Sequence, residues 1–208
     1  MAPRLVVFDL DATLLRGRTV CEVLAEPVGR SAEMAEMETL DAVDDIRAAR
    51  ETMFTWYGDR PVDELCGWLG AATLAPGAVE ACERLRAAGC TLAIASFTWE
   101  FAVATFARII GARHWIGTSV SPDGAWDHVW ADTKAAWVLE LADRLDVSPD
   151  AVAAVGDGSF DVPMLQVVGI PVFVGAAPVA GLPEHTTTFP AADLRVVADF
   201  LLRPAAGR

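Results

Sequence analysis

The chain has 208 residues, a formal net charge of −13 and 53% hydrophobic residues. That composition suits one well-cored domain with room for a small insert, and it excludes a disordered chain. The acidity argues against nucleic acid or an anionic membrane as a partner, because both require a basic face.

Residues 4–10, RLVVFDL, predict a buried strand. Residues 16–75 hold no buried-strand run; the spacing over 32–56 predicts one long amphipathic helix, and 61–70 a second, short one. Residues 76–89 predict a helix with Pro76 at its start and Gly89 at its end. CTLAIAS (90–96) predicts a second buried strand, 99–111 a helix closed by Gly111, and HWIGTSV (114–120) a third strand. The Asp123-Gly124 pair within 121–126 predicts a hairpin. Residues 132–147 predict a helix capped by Asp132 or Thr133, with Trp137, Leu141 and Leu145 at helical spacing. A strand ending in a Gly-Asp-Gly turn is expected at 150–158, a helix at 159–169, a strand at 170–175 and a terminal helix at 191–202. Strands alternating with helices imply a doubly wound α/β fold with a mostly parallel sheet. Residues 1–15 and 76–208 would form that core, with 16–75 a helical cap inserted after the first strand.

No run of about 18 uncharged apolar residues occurs, so no membrane span is expected. The first residues lack the apolar length and cleavage site of a secretory signal. Cys21, Cys66, Cys82 and Cys90 form no C-x-x-C pair, so reduced thiols in a cytoplasm are expected rather than zinc ligands.

In parallel sheets ligands bind beyond the carboxyl ends of the strands. Asp9 and Asp11 follow the first predicted strand, Ser96 ends the second, and Asp157 follows the fourth. Asp9 and Asp11 alternate on extended backbone, and the turn that follows lets both reach one site; Thr13 adds a hydroxyl. Gly156 and Gly158 flank Asp157 and are read as conformationally permissive, with Asp161 in the first turn of the next helix. Carboxylates gathered in this way suit Mg²⁺, a hard cation that prefers oxygen. Each element also has a plainer reading: an acidic turn, a helix-start aspartate, a solvated lysine at Lys134.

In order, the elements read DxDxT, Ser96, Lys134 and GDGxxD. This resembles the haloacid dehalogenase-like hydrolases, and within them the phosphoserine phosphatase-like branch, over essentially the whole chain. The resemblance implies Asp9 as nucleophile and Asp11 as general acid and base. It implies Thr13, Ser96, Phe97 and Lys134 around the phosphate, and Mg²⁺ held by Asp9, the Asp11 carbonyl and Asp157, with Asp161 orienting its shell. The activity implied is hydrolysis of a small-molecule phosphomonoester through an aspartyl-phosphate. Phosphoryl transfer to another acceptor, or phosphate-ligand binding without turnover, are the alternatives.

The cap departs from the branch. Arg18 stands where a substrate-binding glutamate is usual, and Glu22 is the nearest substitute. Met37-Glu38 and Arg50, or Arg47, match the expected methionine and arginine in spacing. Phe97 replaces the glycine usual after the serine, and Phe160 precedes Asp161. Two phenylalanines there would narrow the site or offer an apolar wall, unless they pack into the core. Trp56 and Tyr57 would line the entrance or pack. These changes weaken the case for phosphoserine itself and leave a small phosphomonoester with a different, less polar alcohol equally open.

Overall fold

The computed structural model describes residues 2–191 and 193–203. Its main sheet has seven strands in the order β6-β5-β4-β1-β7-β8-β9: β1 (Leu5–Phe8), β4 (Thr91–Trp99), β5 (His114–Val120), β6 (Trp126–Asp127), β7 (Val152–Gly156), β8 (Ile170–Phe173) and β9 (Thr187–Thr188). Every pairing is parallel except β5 with β6, whose antiparallel register closes the hairpin expected at 121–126.

β1 is central and fully buried, which explains its unbroken apolar run. Val6 and Phe8 face one core, shared with α5 (Ala78–Ala87), α6 (Glu100–Ile110) and α9 (Leu194–Leu202). Leu5 and Val7 face the other, shared with α7 (Ala131–Arg144) and α8 (Val162–Gln166). β4 and β7 flank β1 on opposite sides, so strand order reverses at β1 and a crevice opens beyond its carboxyl end.

The segment between β1 and α5 carries α1 (Val20–Ala25), α2 (Ser31–Met37), α3 (Val43–Tyr57) and α4 (Val62–Trp68). Its two ends are paired: β2 (Leu15–Arg16) lies antiparallel to β3 (Thr73–Leu74), and the Ala75 N–H bonds to the Leu14 carbonyl at 2.8 Å.

Three expectations need correcting. Residues 32–56 are two helices: α2 closes with 3₁₀-type bonds from the Thr39 N–H to the Glu36 carbonyl (3.2 Å) and from the Leu40 N–H to the Met37 carbonyl (3.1 Å), and the chain is extended at Ala42 before Val43. α7 begins at Ala131 with Trp130 as its cap; Asp132 and Thr133 sit inside its first turn. The helix predicted over 159–169 is a 3₁₀ turn at Ser159–Asp161 followed by the short α8.

Candidate active site

β1 delivers Asp9, whose N–H extends the ladder to the Val155 carbonyl at 2.9 Å. The chain then makes a wide turn, with Asp11 extended, Ala12 left-handed at φ 56°, and the Leu15 N–H bonded back to the Leu10 carbonyl. A left-handed alanine costs about 1–2 kcal/mol. Here it buys a fixed direction for Asp11, whose carboxylate accepts from the Val20 N–H at 2.7 Å at the start of α1.

β4 ends in a bulge: Ala95 pairs with Ile116 but Trp99 with Thr118. The extra residues aim Ser96 at the crevice, as bulges beside active sites commonly do. Thr118, a polar residue in the middle of β5, pins the bulge by donating to the Phe97 carbonyl at 2.8 Å.

Lys134 is 1% exposed and reaches between two carboxylates, 2.7 Å from Asp9 and 2.5 Å from Asp161. The second oxygen of Asp161 accepts from the N–H groups of Asp157 (2.9 Å) and Gly158 (3.2 Å), closing the Gly-Asp-Gly turn. Thr13 donates to Asp157 at 2.8 Å. Asp9, Asp157 and Asp161 each present an oxygen, all within 4.8 Å of one another. The side chain of Asp11 lies outside that trio and is held at α1 instead.

The glycines flanking Asp157 correct an expectation. Gly158 is extended (φ −129°), with open space where a side chain would project. Gly156 is required by contact, not by backbone angle: a Cβ there would lie 2.6 Å from the Asp161 carboxylate. Gly156→Ala should therefore displace Asp161, lower stability by about 1–3 kcal/mol as overpacking does, and weaken Mg²⁺ binding. Thermal melts with and without Mg²⁺ check this; an unchanged melting temperature and metal titration would refute it.

Three carboxylates share one lysine. Burial pushes Asp9 up from the ordinary carboxylate range, against the pull of Lys134. Burial and the repulsion of Asp161 raise Asp157 to about 6. Lys134 is held above its usual value: burial opposes its charge, but Asp161 and Asp9 more than offset it. Burial lifts Asp11 to about 7, so it can carry a proton near neutrality. An all-oxygen donor set with surplus negative charge fits a hard divalent cation.

These groups line one end of a cavity of about 320 Å³. Ser96, Phe97, Phe160, Met37 and Arg50 also line it; the Phe97 and Phe160 rings lie 5.0 Å apart. Glu22 and Arg47 do not. The Glu22 carboxylate accepts from the Thr19 N–H at 2.7 Å in a capping box, and Arg47 is exposed beside the Trp130 ring. Arg18 pairs with Glu26 away from the cavity. Tyr57 is buried, accepting from Trp99 Nε1 at 2.7 Å, and Trp56 lies beneath Arg30, so both pack rather than line the entrance. Sequence reasoning missed Thr19, which holds Glu38, and Thr118 and Trp130, which hold the bulge and Arg50. A lone threonine within an apolar strand was the only signal for Thr118.

A phosphoserine phosphatase from Archaeoglobus fulgidus is 27% identical over 176 residues, which cover 80% of this chain and 51% of that protein. The chain thus spans about half the length of that relative. One from Idiomarina loihiensis is 28% identical over 189 residues, covering 84% of this chain and 83% of its own. A HAD family hydrolase from Salmonella enterica serovar Typhi superposes with a TM-score of 0.81 at 20% identity, over 98% of this chain and 73% of its own. A phospho-aspartyl intermediate analogue of phosphoserine phosphatase gives 0.77 at 19% identity, over 96% and 99%. At such identities the structural likeness speaks for the fold. The model of the haloacid dehalogenase-like hydrolases matches residues 6–166, and the chain belongs to that family.

Proposed function

We propose that this protein is a Mg²⁺-dependent phosphatase of a small-molecule phosphomonoester, working through an aspartyl-phosphate. One observation carries the reading: a buried lysine bridges Asp9 to Asp161, with Asp157 and Asp11 at the same end of one cavity. Asp9 attacks phosphorus, and the bond to the leaving oxygen breaks as the bond to the Asp9 carboxylate forms. Asp11 gives its proton to the leaving oxygen, then takes one from the water that hydrolyses the acyl phosphate. Ser96 and Lys134 hold the phosphoryl oxygens, and Thr13 keeps Asp157 in place. Asp9, the Asp11 carbonyl and Asp157 would hold Mg²⁺, with Asp161 orienting its shell; its chemistry is to offset the repulsion between carboxylate and phosphate. Two unit charges ~4 Å apart repel by about 4 kcal/mol at an effective dielectric near 20, so that repulsion needs offsetting.

Residues 16–75 act as a cap over this end of the sheet. The paired β2 and β3 tie its two ends together, which supports that role. Four free thiols support a reducing, cytoplasmic setting, and no helix among the described residues is long and apolar enough to cross a membrane.

The test is phosphate release from an aryl phosphate with Mg²⁺ or EDTA, with and without added alcohols. Release that needs Mg²⁺ and yields free phosphate is expected. Transfer to the alcohols in preference to water would make the protein a phosphotransferase. Binding of phosphate with no release from a broad panel would make it a binding protein.

A further inference from the structure

The cavity continues past the phosphate end into the inserted helices, where the leaving group would sit. We infer that this group is a small amino alcohol with an apolar carbon skeleton and no carboxylate; the inference rests on the phosphatase reading above.

The skeleton is read from the wall. Met34, Met37, Leu40, Ile46, Ala49 and Met53 all line the cavity. Met34 and Met37 on α2, and Ile46, Ala49 and Met53 on α3, recur at helical spacing, and the break between the two helices, which carries Leu40, lets both present that stripe to one space. Methionines suit an aliphatic ligand, since their flexible thioethers adapt to its shape.

The missing carboxylate is read from Arg50. It is the cation on the helical side of the wall, 5% exposed, and its terminal nitrogens already have partners. Nη1 lies 3.3 Å from both the Val129 carbonyl and His128 Nδ1. Nη2 donates to the carbonyls of Phe97 (3.0 Å) and Val129 (3.3 Å). The guanidinium also lies 4.4 Å from the centre of the Trp130 ring. A substrate carboxylate would have to draw both terminal nitrogens away from the buried Val129 carbonyl, and an unpaired buried carbonyl is costly. The donor on the Phe97 carbonyl would be drawn away too, leaving the bulge that aims Ser96 pinned by Thr118 without Arg50. The other cation in the wall, Lys134, bridges Asp9 and Asp161 and, in the phosphatase reading, gives its remaining donor to the phosphate.

The amine is read from Glu38, the residue after α2. Its Oε1 accepts from the Thr19 hydroxyl at 2.7 Å, while that hydroxyl accepts from the Glu22 N–H at 3.1 Å. Thr19 is thereby oriented, and it holds one oxygen of Glu38, an exposed residue at the cavity wall, leaving the other oxygen for a ligand donor. It is the carboxylate on the helical side, because Glu22 is spent on its own helix cap. An ammonium answers a carboxylate with a charge-assisted bond, stronger than a neutral hydroxyl provides.

The probes are leucinol phosphate (amine, apolar, no carboxylate), O-phosphoserine and 3-methylbutyl phosphate (no amine), assayed with Mg²⁺. Leucinol phosphate should exceed phosphoserine in kcat/KM by ~10-fold or more, and Glu38→Gln should cut its kcat/KM ~10-fold more than that of 3-methylbutyl phosphate. Phosphoserine turned over equally well or better, or an equal effect of Glu38→Gln on both esters, overturns the inference. Calorimetry of the same esters on Asp9→Asn reads recognition without turnover. Preferred binding of leucinol phosphate by a protein that hydrolyses nothing would sink the phosphatase reading and uphold this one. Mg²⁺-dependent aryl phosphatase activity with a preference for phosphoserine would do the reverse.

Discussion

Asp9→Asn should abolish phosphatase turnover, by a factor of at least ~10³, while leaving the fold intact. The amide has the size of the carboxylate and keeps an oxygen for Lys134, now 2.7 Å away. What it lacks is the anionic nucleophile. Wild-type protein quenched in acid during turnover of a ³²P-labelled ester should carry a hydroxylamine-labile label; the variant should carry none. Label trapped on the variant would exclude Asp9 as the attacking group. Stability gives a second reading. Burial already pushes the Asp9 carboxyl toward its neutral form, and Asp161 and Asp157 repel its charge. Removing that charge relieves the metal-free cluster, so the metal-free variant should melt no lower than the metal-free wild type. A large drop would mean that Asp9 mainly serves to hold Lys134.

The fold was legible because its signal is local. β1, β4 and β7 are largely buried, so each reads as an apolar run; Asp9 and Asp157 fall just beyond the ends of β1 and β7, and Ser96 lies in the bulge near the end of β4. Helix boundaries were less legible. α2 closes in 3₁₀-type backbone bonds at Thr39 and Leu40, a change that the apolar spacing on either side does not reveal. At the site, Asp9, Lys134, Asp157 and Asp161 stood out through their order along the chain, which no single one of them carries. The helical side did not stand out. Glu22 is at a usable distance in sequence but closes its own helix, and Arg50 reaches the cavity yet spends its donors on Phe97, Val129 and His128. Those partners lie 47 to 79 residues away, and nothing in local spacing announces them. Phe97 shows the same limit: its ring faces the cavity as a motif residue would, while its carbonyl anchors both Thr118 and Arg50.

Lys134→Met should cost both turnover and stability, and the stability loss should grow with pH. Methionine keeps the length of the side chain and removes the cation that bridges Asp9 and Asp161. Breaking a buried pair from one side leaves uncompensated charge, typically worth about 3–5 kcal/mol, or on the order of 10 °C in melting temperature for a chain of this size. The sign follows from the carboxyls. Asp157 is held at about 6 by burial and Asp161, and Asp9 also lies above the ordinary 3.8. Without the lysine both move higher. A native state whose carboxyls have raised pKa values binds protons that the unfolded chain has already released. Its stability therefore falls as pH rises from the ordinary carboxylate range through the raised values. The metal-free variant should sit close to wild type at pH 5 and fall well below it at pH 8. Mg²⁺ should recover part of the difference at pH 8, since the same three carboxylates would then face a cation again. Turnover should not recover with it, because the phosphoryl oxygens lose their lysine; a loss of ~10³ or more is expected. Melts of the two proteins at both pH values, with EDTA and with Mg²⁺, decide the matter. A gap that does not depend on pH would mean that Lys134 acts through packing against Phe97, 5.1 Å away, rather than through its charge.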